Sequence, residues 1–441
     1  MSLRTRRTSS YQIRYETDRP DTARSPKAPS GAFSFARHPP TQMIRILTFT
    51  FLLGSLPSGA TAQDASPFRP DSVVQAPGGP TIVMVTVNPG GTAALRLSVP
   101  LTENAAEAGA GLVLARLALN RMGGPARQIG ARVHAERTPW GIAYRVEGAE
   151  ADIEYLTYLL RLAAQEPASE PHVRAAIRDE LASDLKARAE APLERILSDL
   201  VTDAAPAEIS TGGTLETLAE LRAARLQEVW SRSHRSARMS VVAVTGLDSE
   251  VLLAGLDRLG ATGDTARSLG SPPAPQASEI PVPAALRTWH GLAWTDGSKL
   301  DPHAEVLATL MTGHLEAGAS ETEMTVRRRQ LSDRSMLVLA GGAYARNSAG
   351  MRTRLLDLLP AVRASIDGPS VTAARMQVAL ALARAAGDSG GLAEHIGWGF
   401  EATGNPFAAV AHYDALSAVT ARSLTEYIDT LTGPLTASVT R

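Results

Sequence analysis

The stretch "PTIVMVTVNPGGTAALRLSV" (residues 80–99), followed by "ENAAEAGAGLVLARL" (residues 103–117), decides the fold of this chain. It begins with two runs of β-branched and apolar residues, and Asn88-Pro89-Gly90-Gly91 between them predicts a hairpin or a meander. The segment that follows predicts a plain apolar helix over residues 107–124, with Gly near its start and Gly-Gly at its end. Two strands and a helix in this order predict an α+β unit.

The rest of the first half continues this mixture of strands and helices. "RVHAERTPWGIAYRVEGAE" predicts two strands around residues 138–141, and "ADIEYLTYLLRLAAQEP" predicts a helix that stops at a proline. Asp248 is the candidate N-cap of the last helix of this half. The later segments predict a long helical region, a helix, a strand and a final helix, over residues 169–203, 214–233, 237–247 and 248–261.

Residues 263–283 shift to Gly, Ser and Pro, which predicts a linker. The second half then repeats much of the order of the first, with a strand ("TWHGLAWTDG"), a helix ("DPHAEVLATLMTGHLEAG"), a β segment ("SMLVLAGGAYA") and three further helices. Strands and helices fall in blocks rather than alternating one for one. The sequence therefore predicts two α+β domains, over residues 71–262 and 284–437, each an antiparallel sheet packed with helices.

Composition and charge narrow the classes of function. The chain has 441 residues, of which 44% are hydrophobic, and a formal net charge of −1. This composition is typical of a globular protein, and a net charge near zero provides no electrostatic attraction for nucleic acid or an anionic membrane. The absence of cysteine excludes disulfides, thiolate nucleophiles and Cys-ligated zinc. We therefore expect no nucleic-acid partner.

The segment "MIRILTFTFLLGSLPSGATAQDA" begins at Met43 and has the layout of a secretory signal peptide, with a basic residue, a short apolar run and small residues that end at Ala62. The apolar run is too short to span a membrane in the mature chain. Residues 1–42 are rich in Arg, Ser and Pro, are predicted to be disordered, and suggest an upstream start codon. An organellar transit peptide is the alternative, which acidic residues disfavour. We expect a signal peptide over residues 43–62 and a periplasmic or secreted protein.

The order of these segments resembles the pitrilysin/insulinase family of zinc metallopeptidases, which includes the mitochondrial processing peptidase. Residues 80–99 and 103–117 look like the family's first strands and first helix. Residues 207–252, "AEISTGGTLETLAELRAARLQEVWSRSHRSARMSVVAVTGLDSEVL", look like the end of its first domain, and "DPHAEVLATLMTGHLE" (residues 301–316) looks like the first helix of its second. The resemblance covers residues 71–437 and implies two homologous α+β domains joined by the Pro/Ser-rich linker.

Active members of the family carry H-x-x-E-H on the first helix, where the two histidines bind Zn²⁺ and the glutamate takes a proton from the zinc-bound water. The matching positions here hold Leu112, Ala115 and Arg116 or, in a register shifted by two residues, Leu114, Leu117 and Ala118. Neither register supplies a ligand or a base, and the fixed positive charge of Arg repels Zn²⁺. We therefore predict no catalytic residue, no metal site and no cofactor.

The resemblance also implies a third zinc ligand, a glutamate from a later helix, near Glu170, Asp179 and Glu180. One carboxylate holds zinc poorly, so we interpret these acids as a solvated helix face. The family's second domain, or its partner subunit, provides an Arg and, seven residues later, a Tyr that hold the substrate backbone. Arginines 327–329 are present here and are interpreted as a solvated helix end, because the positions seven residues further on hold Arg334, Ser335 and Met336.

Other candidate chemistry is weak. "GDSGG" (residues 387–391) is similar to a serine-protease motif, but it lies between predicted helices and is interpreted as a turn. The histidines include no helical metal-binding pair, and His303 and His314, with Glu316 nearby, span three turns, too far for one ion. The five tryptophans are dispersed and are interpreted as core or interface anchors.

These observations leave alternative functions open. The first is an exported, non-catalytic homologue that is the partner subunit of an active zinc peptidase and helps to enclose an unfolded peptide. The second is a stand-alone envelope binding or scaffold protein with the same fold. A minor third is an enzyme whose metal site is built differently. A neighbouring gene with an intact H-x-x-E-H motif would favour the first, and stoichiometric zinc would favour the third.

Overall fold

Two β-sheets, each packed with helices, organise the computed structural model of this chain. All of the described residues lie in one compact unit, residues 65–441. The structure describes residues 66–75, 78–87, 91–167, 170–177, 191–205, 213–247, 249–256, 259, 287–317, 323–344 and 347–440. The predicted N-terminal extension (1–42), signal peptide (43–62) and linker (263–283) lie outside these residues, as does Asp248.

The strands of the described residues are β1 (Ser72–Gln75), β2 (Thr81–Thr86), β3 (Thr92–Pro100), β4 (Arg132–Arg137), β5 (Gly141–Ala149), β6 (Ser240–Thr245), β7 (Arg287–Asp296), β8 (Glu323–Gln330), β9 (Ser335–Tyr344) and β10 (Thr432–Thr440). The first sheet has the order β1-β2-β6-β3-β5-β4, and the second has the order β10-β7-β9-β8. The second sheet is wholly antiparallel.

The predicted hairpin between β2 and β3 is wrong. β6 lies between these strands, parallel to β2 from Thr81↔Ser240 onward and antiparallel to β3. Both strands are buried along most of their length and are paired on both edges. A local turn signal such as residues 88–91 does not determine which of several buried strands become neighbours. The first sheet is therefore mixed rather than purely antiparallel.

The helices of the described residues are α1 (Ala110–Gln128), α2 (Ile153–Ala163), α3 (Glu170–Ala175), α4 (Pro192–Ala204), α5 (Leu215–Glu220), α6 (Ala223–Ser233), α7 (Ser249–Leu256), α8 (Pro302–Ala317), α9 (Ser348–Ser365), α10 (Gly368–Ala385), α11 (Ser389–Thr403), α12 (Ala408–Leu416) and α13 (Ala421–Thr430). The single helix predicted over residues 214–233 is two helices, because Leu221 and Arg222 have extended backbone angles. The sequence prediction missed α11, α12, β1, β8 and β10. None of the described helices is both long and apolar enough to cross a membrane.

Helices α1 and α2 cover one face of the first sheet and form the larger hydrophobic core with it. Val113 and Leu117 of α1 and Leu156 of α2 are buried there with Tyr144 of β5. A separate core lies between the second sheet and helices α8, α9, α10 and α13, where Leu307 of α8 is fully buried. The α+β fold class predicted from the sequence is confirmed.

The other face of each sheet is covered by a helix from the other half of the chain. Helix α11 packs on β3 and β6, with Leu392 and Ile396 in one cluster with Val242. Helix α4 packs on β7 and β10, where a Cβ on Gly291 would overlap Ile196 Cγ2. The two halves are therefore interlocked. The domain boundaries 71–262 and 284–437 stay a prediction.

Candidate peptide-binding edge beside helix α1

Helix α1 holds the residues at the predicted zinc-motif positions in close packing. Leu112, Ala115 and Arg116 are 9%, 2% and 4% exposed. The residues of the shifted register are buried as well: Leu114, Leu117 and Ala118. Aliphatic carbon has no lone pair for a metal, and a guanidinium is a permanent cation. These six side chains offer packing surface and one positive charge.

A buried ion pair closes the start of α1. Glu103 accepts the backbone N–H of Gly111 at 2.7 Å and the Nε–H of Arg137 at 2.8 Å. Arg137 passes so close to the helix that a Cβ on Gly111 would lie 2.5 Å from Arg137 Cδ. Arg137 also donates to the carbonyl of Gly141 at 2.8 Å. The ion pair therefore joins α1 to the turn between β4 and β5.

The acids considered for a third zinc ligand have a different role where the structure describes them. Glu170 accepts the N–H of Ala223 at 2.8 Å and pairs with Arg174 at 2.9 Å. These contacts, led by the backbone hydrogen bond, lower the pKa of Glu170 and place its charge at the start of α6. Asp179 and Glu180 lie outside the described residues. Within the part of the chain that is described, no group of three His, Asp or Glu side chains could hold a metal ion.

Strand β4 is an edge of the first sheet and packs beside α1. It pairs with β5 from Arg132↔Glu147 to Arg137↔Ile142, and no described strand pairs with its other side. Because side chains alternate along a strand, Ala135 contributes to the core under α1, whereas His134 and Glu136 lie on the other face, 3.5 Å apart. The outward N–H and C=O groups of such an edge are a template for an extended peptide.

A buried layer of charge lies behind His134 and Glu136 and joins the first sheet to α11. Arg96 of β3 is fully buried, with Nη1 2.6 Å from Glu401 Oε1 and Nε 3.2 Å from Glu394 Oε2. Burial opposes the charge of Arg96, but the two glutamates outweigh burial and raise its pKa. Burial likewise opposes the charge of Glu394, but Arg96 and Arg145 outweigh it and lower the pKa of Glu394.

The tip of the β4–β5 hairpin contacts the second half of the chain. Trp140 Nε1 donates to the carbonyl of Ser332 at 2.8 Å, and its ring meets Trp398 edge-on, 5.1 Å between centroids. Ser332 lies in the turn between β8 and β9, so the hairpin tips of the two sheets meet here. These two tryptophans are interface anchors, one of the two roles predicted for the tryptophans.

The predicted helix end at residues 327–329 is wrong, because these arginines lie in strand β8. Arg328 reaches Glu305 of α8 at 2.5 Å, and Arg327 reaches Glu194 of α4 at 3.5 Å. Burial raises the pKa of Glu305, but His412 and Arg328 outweigh it and leave the pKa below its usual value. Charged side chains fit this strand because helices on both of its faces supply carboxylates.

The three positions where a tyrosine was expected are used for packing and turns. Met336 is fully buried, and Ser335 donates to Asp296 at 2.8 Å. Arg334 pairs with Asp333 at 2.7 Å in the exposed turn. The prediction of a turn over "GDSGG" is only partly right, because its last three residues begin α11. Asp388 caps this helix by accepting the N–H of Gly391 at 2.8 Å. None of these residues lies on β4 or α1.

Sequence reasoning missed both the open edge at β4 and the charge layer behind it. One signal was present. Arg96 interrupts the apolar run "AALRLSV", and a charge in a buried strand requires a buried partner. The sequence does not reveal the partners, since Glu394 and Glu401 follow about 300 residues later.

Solved structures with the same fold include several peptidases. A protease from Helicobacter pylori gives a TM-score of 0.73 at 12% identity, over 84% of this chain and 100% of that one. An M16-like peptidase from Alicyclobacillus acidocaldarius gives 0.65 at 14%, over 84% and 97%. A peptidase M16 inactive domain from Pseudomonas fluorescens gives 0.67 at 13%, over 83% and 97%. No protein-family profile and no curated protein matches the sequence.

The chain therefore has the pitrilysin/insulinase-like fold, the fold of the M16-like peptidases. This confirms the fold implied by residues 80–99 and 103–117. The match spans most of this chain and nearly all of each of the three solved structures. Identities of 12–14% show the fold alone.

Proposed function

We propose that this chain is an exported, non-catalytic homologue of the M16-type peptidases, the partner subunit of an active zinc peptidase, and that it helps to enclose a peptide substrate. The observation that supports this most strongly lies at α1 and β4. The resemblance assigns the positions of the family's two histidines and glutamate to Leu112, Ala115 and Arg116 or, in the shifted register, to Leu114, Leu117 and Ala118. Among the described residues, no strand pairs with the outer edge of the adjacent strand β4.

An open strand edge suits a peptide-holding role. An extended peptide that pairs with β4 gains backbone hydrogen bonds, which depend little on its sequence, and needs neither a nucleophile nor a metal. Such an edge selects for unfolded chains, because a folded protein has already used its backbone groups. The buried Glu103–Arg137 pair and the Arg96 layer support β4 on either side, so the edge is held before the peptide arrives.

The partner and export parts of the proposal rest on other observations. A structure with this fold from Pseudomonas fluorescens is described as an inactive domain, a precedent for the fold without activity. The family's chamber is assembled from several homologous domains, of which only one needs the metal. Residues 43–62 have the signal-peptide layout, so we expect the mature chain to begin after Ala62 in the periplasm or outside the cell.

The experiment uses the mature chain, alone and co-expressed with a homologue from the same genome that carries an intact H-x-x-E-H motif. Size-exclusion chromatography measures the complex, and fluorescence anisotropy measures binding of a labelled unstructured peptide. The matched control is the same peptide with alternate backbone nitrogens methylated, which removes donors to a strand edge.

We expect a stable complex, peptide binding that EDTA leaves unchanged, and at least tenfold weaker binding of the methylated peptide. If no complex forms but the chain still binds the peptide, the alternative of a stand-alone binding protein is favoured. Equal binding of the two peptides, or no peptide binding at all, would contradict the role of β4.

A further inference from the structure

A serine, a histidine and an aspartate contact one another in the second half of the chain, on elements other than α1 and β4. Ser423 Oγ lies 3.0 Å from His303 Nε2, and His303 Nδ1 lies 2.7 Å from Asp301 Oδ1. The side chains of His303 and Asp301 are each 24% exposed, and Ser423 is half-buried. The group is therefore held in place by the fold and still open to solvent.

These contacts determine where the protons lie. An ionised carboxylate only accepts hydrogen bonds, so Asp301 keeps the proton of the neutral imidazole on Nδ1. Nε2 then carries the lone pair and, at 3.0 Å, can take the single hydroxyl proton of Ser423 when that proton turns away from the Thr420 carbonyl, to which it also donates. A serine that donates to a histidine, which in turn donates to a carboxylate, is the arrangement that activates a serine nucleophile.

An aromatic ring also supports one face of the imidazole of His303. The Tyr427 ring stacks on His303 with 5.5 Å between centroids and an interplanar angle of 21°. The Tyr427 hydroxyl donates to Asp296, a buried carboxylate that also accepts Ser335 Oγ at 2.8 Å. Asp301 and Tyr427 together fix the ring plane, so the base does not need to be ordered when a substrate binds.

Ser423 lies in the first turn of α13, and its other contacts are all with Thr420. Its Oγ accepts the Thr420 N–H at 2.9 Å and the Thr420 Oγ1–H at 3.2 Å, and its hydroxyl donates to the Thr420 carbonyl at 3.2 Å. A donated N–H stabilises negative charge that develops on Oγ. Ala421 and Arg422 come first in α13, where backbone N–H groups have no carbonyl acceptor within the helix.

We propose that Ser423, His303 and Asp301 form a metal-independent site that hydrolyses small carboxylic esters, separate from the peptide edge at β4. Ser423 Oγ bonds to the acyl carbon while its proton passes to His303 Nε2. The C–O bond of the ester then breaks, and the alcohol leaves with that proton. Water next gives a proton to Nε2 and bonds to the acyl carbon, and the free acid leaves as Ser423 Oγ recovers its proton.

Two other serine–histidine contacts allow comparison within the same chain. Ser348 Oγ lies 2.8 Å from His290 Nε2, and no carboxylate among the described residues contacts the other ring nitrogen. Ser233 Oγ lies 2.9 Å from His234 Nδ1, but the second nitrogen bonds to the Tyr144 hydroxyl and the group is buried. Neither pair has the carboxylate that orients a base, so both serines are expected to be unreactive.

The test treats the mature chain with a fluorophosphonate probe in the presence of EDTA and measures the adducts at individual serines by peptide mass spectrometry. We expect the adduct on Ser423 to exceed that on Ser348 by at least about tenfold, together with turnover of p-nitrophenyl acetate. Asp301→Asn and His303→Gln, which keep Ser423 and its capping contacts, are expected to slow labelling by about 10²–10⁴-fold. Ser348→Ala leaves it unchanged.

Equal labelling of Ser423 and Ser348 in the unmodified chain would overturn the proposal without any variant. So would an Asp301→Asn chain that is labelled at the original rate. Asn can still accept the backbone N–H of His303, which Asp301 Oδ1 accepts at 2.9 Å, but it cannot hold the imidazole proton as a carboxylate does. Failure of this site leaves the peptide-binding measurements on β4 unaffected.

Discussion

Replacement of Arg96 tests how the two halves of the chain are held together. Its guanidinium is fully buried between β3 and α11, where Glu394 and Glu401 both contact it. In Arg96→Ala, the carboxylate of Glu401 stays buried, with 7% of its side chain exposed, and loses its cation. Removing one member of a buried ion pair costs about 3–5 kcal/mol of unfolding free energy, because the remaining charge has no compensation.

Urea unfolding followed by circular dichroism measures this loss. With a slope of about 3 kcal/mol per molar urea, the midpoint is expected to fall by about 1–2 M. Arg96→Met combined with Glu401→Gln removes both charges and is expected to recover part of the loss. Arg225→Ala is the matched control. Arg225 pairs with Glu228 at 2.9 Å, and about half of the Arg225 side chain is exposed. Loss of this surface ion pair is expected to leave the midpoint unchanged.

The result that would refute this reasoning is an Arg96→Ala midpoint as close to the original value as that of Arg225→Ala. The buried charge layer would then contribute little to the contact between α11 and the first sheet. A double variant less stable than Arg96→Ala would also contradict it, because an uncompensated Glu401 charge would not be the cause of the loss.

Three further predictions concern the start of α1, a buried histidine and the interlocked halves. Gly111→Ala places a Cβ 2.5 Å from Arg137 Cδ and is expected to lower the unfolding free energy by about 1–3 kcal/mol in thermal melts. Gly124→Ala meets nothing within 4 Å and is expected to raise it by about 0.5–1 kcal/mol; equal shifts would contradict the close packing at Gly111. Burial lowers the pKa of His234 from 6.5 to about 3, so between these values the unfolded chain binds a proton that the folded chain does not. The contribution of His234 to the free energy of unfolding is therefore complete above pH 6.5 and falls on acidification by up to about 1.4 kcal/mol per pH unit. His234→Gln is expected to remove this slope, and an equal slope in both proteins would contradict the prediction. Residues 284–441 expressed alone lack α4 and are expected to bind a hydrophobic dye and aggregate unless co-expressed with residues 63–262, whereas a folded, monomeric fragment would show that the halves are independent.

The elements that were predicted correctly have strong local patterns. The apolar stripe of α1, the alternation of β4 and β5 around their turn, and the run of β7 can each be recognised within one segment. The pairing of β2 with β6 is different, because these strands are about 160 residues apart and a local turn signal cannot reveal it. The fold class needs only the local patterns, which is why it was predicted while the strand order was not.

Strand β8 and helix α11 were missed because distant contacts override their local composition. Arg327 and Arg328 sit in a strand because Glu194 and Glu305 come from helices on its two faces. Helix α11 is rich in glycine, a poor helix former, yet a Cβ on Gly397 would lie 2.5 Å from Arg96 Nη1. The close contact with Arg96 therefore requires a glycine at position 397, although glycine weakens the local helix signal.

The candidate sites also differ in whether one local segment of the sequence is enough to predict them. The residues assigned to the zinc-motif positions stay a prediction of the resemblance, which one segment of sequence is enough to make because an i, i+4 motif lies on one helix. The open edge of β4 depends on the order of strands in the sheet, and Ser423 lies 120 residues from His303. Contacts of this kind carry no signal in one segment of sequence, and only the folded chain brings them together.

The most direct test of the central claim is incubation of the purified mature chain, alone, with an unstructured fluorogenic peptide, with and without EDTA. A chain that holds a peptide at β4 but has Leu112, Ala115 and Arg116 on α1 is expected to leave the peptide intact under both conditions. Cleavage that the unmodified chain performs and that EDTA abolishes would contradict the claim, since it requires a metal-bound water that these residues do not provide.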